Sequence, residues 1–255
     1  MSYFQYQSKN IYFEEIGTGR PLLLLHGNTA SSNMFTSIAM QYAREYKVIL
    51  FDFLGHGKSD RLERFPVDLW YEEAQQVIEF LRQKKYRDLL ILGSSGGALV
   101  AINVALERPD LVRKVIADSF EGEHSLAAFT ATIMNDRELS KQDAGARMFY
   151  QAMHGNDWEH IVDNDTNAIA EHAKLIDRFF HKPLSELKAD ILMTGSNEDE
   201  FVTCVDKDFY SKTYSRMIRE IGHGDLFIFE HGGHPAMLSN QDEFFKETLV
   251  FLEND

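Results

Sequence analysis

Three short runs of uninterrupted apolar residues, at 22–25, 48–51 and 89–92, most constrain how this chain folds. A strand apolar at every position has no face for water, so it must be covered on both sides. That is the pattern of parallel strands in the middle of a sheet, with helices packed above and below. With these runs included, strands are predicted at 3–7, 11–16, 21–26, 47–53, 88–92 and 113–117, and later at 190–194 and 225–230. The first two alternate polar with apolar residues across a short turn, as an edge hairpin does. Helical patterns lie between them. Ala74, Val77, Ile78 and Leu81 fall on one helical face, 98–107 forms a helix that stops before Pro109, and 241–252 forms the last helix. The fold class is therefore α/β, with a mostly parallel sheet of about eight strands and helices on both faces.

From 122 to 185 the alternation breaks down. This stretch has helical patterns and many large apolar residues, including Phe129, Met148, Phe149, Tyr150 and Trp158, but no strand pattern. It reads as a helical insertion after the sixth strand. As packing it adds a layer; as a device it makes a lid over a pocket.

The sharpest chemical signal is Gly93-Ser94-Ser95-Gly96-Gly97, directly after the apolar run 89–92 and directly before a helix. A serine on a tight strand-to-helix turn presents its hydroxyl at the positive end of the helix. Close packing of the turn leaves no room for side chains two residues before and after it. Ser95 has glycine at both places and is the candidate nucleophile; Ser94 does not. A phosphate-binding loop is the competing use of such a segment, but the glycine spacing and the following Lys-Ser/Thr are missing.

A serine needs a base, and the base needs an orienting acid. His231-Gly232-Gly233-His234-Pro235 follows the last predicted strand, and His234 is favoured as base over His231. The acid is expected in Gly195-Ser196-Asn197-Glu198-Asp199-Glu200-Phe201-Val202. Asp199 is preferred because Phe201 and Val202 anchor the loop, with Glu198 as the alternative. A developing oxyanion needs backbone N–H donors. Gly96, after the nucleophile, and Asn28, in His26-Gly27-Asn28 beyond the strand 22–25, are the candidates. His26 itself reads as a loop-tying residue, with a second base as the alternative.

Together with Asp52-Phe53-Leu54-Gly55-His56-Gly57-Lys58-Ser59, these segments resemble the α/β-hydrolase superfamily over nearly the whole chain. The resemblance implies a Ser95–His234–Asp199 triad, oxyanion amides at Asn28 and Gly96, a hydrolase core at 1–121 and 186–255, and a cap at 122–185. The acid loop is one residue longer than the family's common G-x-x-D spacing, which selects Glu198, whereas the D-x-x-V ending selects Asp199. Asp118 is a further acid, at a place some relatives use. Serine at 95, where haloalkane dehalogenases and epoxide hydrolases carry aspartate, points away from both.

A net charge of −14 disfavours nucleic acid and anionic membrane as partners. The one cysteine, Cys204, leaves no internal disulfide, and the first residues lack a signal-peptide pattern, so a cytoplasmic location is expected. No run approaches the length of a membrane span. His154, His160, His172 and His181 show no H-E-x-x-H spacing and the chain lacks a glycine-rich nucleotide fingerprint, so neither metal nor cofactor is expected. The expected function is hydrolysis of a small carboxylic ester or lactone bearing a hydrophobic group. A C–C bond hydrolase, or a cofactor-free lyase or haloperoxidase on the same triad, is the nearest alternative. A small-ligand receptor on a hydrolase fold is the alternative of another class.

Overall fold

The computed structural model describes residues 2–254, which form an eight-stranded sheet. Its strands are β1 (Ser2–Tyr6), β2 (Lys9–Ile16), β3 (Arg20–Leu25), β4 (Tyr46–Phe51), β5 (Leu89–Ser94), β6 (Val112–Asp118), β7 (Asp190–Ser196) and β8 (Asp225–Phe229). In space their order is β1-β2-β4-β3-β5-β6-β7-β8. β1 and β2 form the expected antiparallel edge hairpin, turning through Gln7 and Ser8 at positive φ. β2 meets β4 antiparallel, and every later pairing is parallel. One detail differs from the alternation: Ile11, Tyr12 and Phe13 of β2 are all buried. Being second in the sheet, β2 is covered on both faces there.

The apolar runs serve two cores at once. Leu23, Leu25, Ile49, Phe51, Leu89 and Ile91 point into one. Leu22, Leu24, Val48, Leu50, Leu90 and Leu92 point into the other. Each such leucine removed from water contributes about 1.5–3 kcal/mol. The helices that cover the sheet are α1 (Thr36–Tyr42), α2 (Leu69–Lys84) and α3 (Gly96–Glu107). Ile38 of α1 packs on the even-numbered leucines, Val77 of α2 and Leu99 of α3 on the odd-numbered ones.

Between β6 and β7 the chain forms α4 (Ala127–Thr130), α5 (Ile133–Ser140), α6 (Ala144–His154) and α7 (Trp158–Leu175). Phe179, Phe180 and Leu184 then return to the sheet-side core. After β7 come α8 (Glu200–Thr203), α9 (Phe209–Ile221), α10 (Ala236–Ser239) and α11 (Gln241–Glu253), whose Phe244 and Leu252 close the second core. Among the described residues, no helix is long and apolar enough to cross a membrane. The strand order reverses between β3 and β5. Loops leaving adjacent strand ends in opposite directions open a crevice there, and Gly27-Asn28 and Ser95 are the residues at its mouth.

Candidate active site

Ser95 sits between β5 and α3 with φ 55° and ψ −125°, a conformation L-residues rarely adopt. Such strain costs about 1–3 kcal/mol and persists only where surroundings enforce it. Here the Ser95 amide donates to the Asp118 carbonyl at 2.7 Å, and its carbonyl accepts from Ala98 at 2.9 Å. The glycines two residues away are required by space. A Cβ on Gly93 would fall on the Gly97 carbonyl, and one on Gly97 on the Leu25 carbonyl.

The Ser95 hydroxyl lies 3.0 Å from His234 Nε2, and His234 Nδ1 lies 2.8 Å from Asp199 Oδ2. Asp199 is fully buried; the His234 side chain is 17% exposed. Burial pushes the Asp199 carboxyl up, but the hydrogen bond and charge of His234, the Tyr210 hydroxyl and the Phe201 amide outweigh it and hold it below the usual range. An ionised carboxylate only accepts, so His234 carries its proton on Nδ1 and offers Nε2 as acceptor to the serine. Burial lowers the His234 pKa, whereas the bond to Asp199 and its charge raise it further, for a net upward shift.

The alternatives separate cleanly. Glu198 is exposed and pairs with His231 Nδ1 at 3.0 Å and the Gly232 amide at 3.0 Å. Ser94 is buried and donates to Asp118 Oδ2 at 3.0 Å. Asp118 also accepts from Thr194, Ser119 and the Met237 amide, and burial pushes its carboxyl up to about 6. It ties the ends of β5, β6 and β7 together and makes no hydrogen bond to the His234 ring. His26 donates from Nδ1 to the Gly27 carbonyl and accepts the Phe53 amide on Nε2, so both ring nitrogens are used in the loop. Burial takes its pKa down to about 3, which keeps it neutral.

The Gly27-Asn28 loop abuts Ser95: a Cβ on Gly27 would lie 2.8 Å from that of Ser95. The Asn28 side chain is held at both ends. Its Nδ2 donates to Asp165 Oδ1 at 2.7 Å, and its Oδ1 accepts from Trp70 Nε1 at 3.2 Å. Gly96 opens α3, where an amide has no acceptor within its own helix. Asp165, fully buried on α7, also accepts the Thr29 amide and His56 Nε2. Burial raises the Asp165 carboxyl, but these partners bring it below its ordinary value. A helix of the 127–175 segment thus grips the loop beside Ser95.

Above these groups lies a cavity of about 420 Å³. Asn28, Ser95, Gly96 and His234 form its floor side; Phe129, Phe149, Tyr150 and Ile169 come from the helical segment. Phe201 sets its ring edge-on to His234 at 4.7 Å. Met134 and Met148, also in the apolar stretch, are exposed instead. The four histidines considered for metal binding are dispersed. His154 bonds Gly57 and Thr29, His160 bonds Asn164, His181 bonds Asp68, and His172 packs between Trp70 and Phe179.

Sequence reasoning passed over Tyr210, whose hydroxyl donates to Asp199 Oδ2 at 2.6 Å. A signal was present: Tyr210, Tyr214, Met217 and Ile221 repeat at helical spacing and form the buried face of α9. Asp165, Trp70, Glu121 and Arg137 were passed over too. They lie on or after other elements and meet the site only through the tertiary fold.

Residues 22–247 match the sequence model of the Alpha/beta hydrolase family. Over 96% of this chain, the sequence is 26% identical to the 2-hydroxy-6-oxo-6-phenylhexa-2,4-dienoate hydrolase of Burkholderia cepacia, covering 91% of that protein. A haloalkane dehalogenase 2 of Mycobacterium bovis is 31% identical over 114 residues, 45% of this chain; the match spans only 40% of that relative's length. Among solved structures, an esterase from Exiguobacterium antarcticum superposes with a TM-score of 0.77 at 20% identity, over 99% of both chains. With its eight-stranded sheet and a family match over most of its length, this chain belongs to the alpha/beta hydrolase family.

Proposed function

We propose that the protein is a serine hydrolase that cleaves a small carboxylic ester or lactone through an acyl-enzyme, with Ser95, His234 and Asp199 as triad. The observation that carries this reading is the unbroken chain of hydrogen bonds from Ser95 through His234 to Asp199 at the floor of an apolar cavity. His234 Nε2 takes the Ser95 proton as the hydroxyl oxygen attacks the carbonyl carbon, and Asp199 stabilises the imidazolium that forms. The amides of Asn28 and Gly96 receive the oxyanion, a contribution of on the order of 10²–10³ in rate per donor. His234 then passes its proton to the leaving alcohol oxygen, which departs as the acyl-enzyme forms. Water, deprotonated by His234, attacks the acyl carbon; the carboxylic acid leaves and Ser95 regains its proton. The helices of 122–185 act as a cap, and their aromatic residues favour a substrate with a hydrophobic group.

A C–C bond hydrolase is the second reading, supported by the full-length likeness to the Burkholderia cepacia enzyme. The compound in that enzyme's name is a ketone with no ester, so its hydrolysis must break a carbon–carbon bond. The partial likeness to a dehalogenase carries less. Displacement of halide by a serine oxygen leaves an ether, which water does not cleave as it does the ester formed on a carboxylate nucleophile. An intact hydrogen-bonded triad is also more than a binding protein requires.

The test is turnover of 4-nitrophenyl esters, simple lactones and a 6-oxo-dienoate by the wild type and Ser95→Ala. Ester or lactone hydrolysis that depends on Ser95 supports the first reading. Turnover confined to the ketone supports the second, and no turnover of any of them by a folded protein contradicts both.

A further inference from the structure

One charged side chain on the cavity wall lacks a counter-ion of its own. Ile133, Arg137 and Ser140 lie on the inward face of α5, and Arg137 lines the cavity. Its Nη1 donates to the Tyr150 hydroxyl at 3.2 Å, and its Nε is buried with no hydrogen-bond partner. Among the described residues, no carboxylate lies within ion-pair distance of it. Asp165 feels its charge from farther away, but the Asp165 oxygens are already taken by Asn28, Thr29 and His56. Tyr150 gives it only a neutral acceptor. The Ser140 hydroxyl donates to the Arg137 carbonyl, so the Tyr150 proton goes to Ser140 Oγ, and the phenol oxygen is left to orient the guanidinium.

Arg137 is half-buried, with its Nε shielded from water. Leu126, Phe129, Phe149 and Ile169 share the cavity wall with it. A cation desolvated by apolar neighbours is stabilised chiefly by an anion brought to it. The carboxyl of Glu121 is also on this wall, but burial pushes it up to about 7, so near neutrality it is only partly ionised. The planar guanidinium fork, with donors to spare, matches a carboxylate.

We propose that the substrate carries a carboxylate remote from the scissile bond and that Arg137 binds it. This rests on the serine hydrolase reading for the scissile bond, though not for the binding itself. The chemical class is the monoester of a dicarboxylic acid, or a lactone bearing a free acid, whose apolar middle lies along the aromatic wall between Ser95 and Arg137.

The experiment compares kcat/KM for 4-nitrophenyl hydrogen dicarboxylates, from succinate to suberate, with that for their methyl esters. For at least one chain length the wild type should prefer the free acid by about 10- to 100-fold, the range for a hydrogen bond to a charged group, expressed mainly in KM. Arg137→Gln should bring that ratio close to one, and Arg137→Lys, which keeps the charge but not the fork, should retain part of it. Wild-type ratios near one throughout the series, or a preference that survives in Arg137→Gln, would overturn the proposal. Should Arg137→Gln fail to fold, the proposal stands or falls on the wild-type ratio and on Arg137→Lys. Calorimetry of the free dicarboxylates with Ser95→Ala separates the two readings. Binding that weakens 10- to 100-fold on adding Arg137→Gln, without any ester turnover by the wild type, sinks the ester-hydrolysis reading and leaves this one. Turnover without preference for the acid does the reverse.

Discussion

Two histidine–carboxylate pairs sit on the same two loops, three residues apart at one end and adjacent at the other. His234–Asp199 closes at 2.8 Å and His231–Glu198 at 3.0 Å, so distance hardly distinguishes them. Burial does. Asp199 is fully buried and His234 17% exposed, whereas the side chains of Glu198 and His231 are 57% and 74% exposed. Water screens the outer pair and leaves its partners free to swing away. The inner pair is fixed by Tyr210 and the Phe201 amide on the acid, and by Ser95 on the base. A pair becomes catalytic equipment when both its geometry and its protonation state are imposed by other groups, not when it is merely short.

Substitutions in and around the two pairs should differ sharply in effect. Ser95→Ala should lower kcat by on the order of 10⁶ on any ester that is turned over, because the members of such a triad act as a unit. Asp199→Asn should cost about 10⁴ in kcat, since an amide favours the wrong tautomer of His234. In that variant the acidic limb of the remaining kcat/KM profile should also move. In the wild type the rate requires neutral His234, so it falls as pH drops through a pKa raised above the ordinary histidine value. With the Asp199 charge gone and burial still acting, the His234 pKa falls and the limb shifts to lower pH. Tyr210→Phe removes one bond from a buried carboxylate and should lower kcat about tenfold with KM little changed. His231→Ala and Glu198→Gln should each leave kcat/KM within about twofold, as exposed substitutions away from a site do. A large loss in either would erase the distinction between the pairs.

Much of this is legible in the sequence, and the reason is local. All eight strands fall within a few residues of their expected places, because a continuous apolar run or a strict alternation has few ways to be buried. Ser95 and its flanking glycines were visible because a strand, a turn and a helix adjoin within one short segment. Choosing between Glu198 and Asp199 was harder, since the two are neighbours and only their burial separates them. The structure adds a local cause: Asp199 caps α8 by accepting the Phe201 amide, which turns it inward with Val202. Arg137 and Asp165 were out of reach for a different reason, and the spacing of Tyr210 with Tyr214, Met217 and Ile221 marks a buried helix face but not a partner. Each acquires its role only from what the fold sets opposite it.

Asp165 shows how far that extends, since it joins α7 to the loop carrying Asn28. The helices of the 127–175 segment are thus fastened to the loop beside Ser95 as well as lining the cavity above it. This is why changes in that segment are expected to affect rate as well as substrate choice.

The central claim is that Ser95 is the nucleophile, activated through His234. Its most direct test is a fluorophosphonate probe applied to the wild type and to Ser95→Ala, with the adduct mapped by peptide mass spectrometry and folding checked by circular dichroism. One adduct is expected, on Ser95, absent from the folded variant. Labelling that survives in Ser95→Ala, or that maps to Ser94 in the wild type, would contradict it.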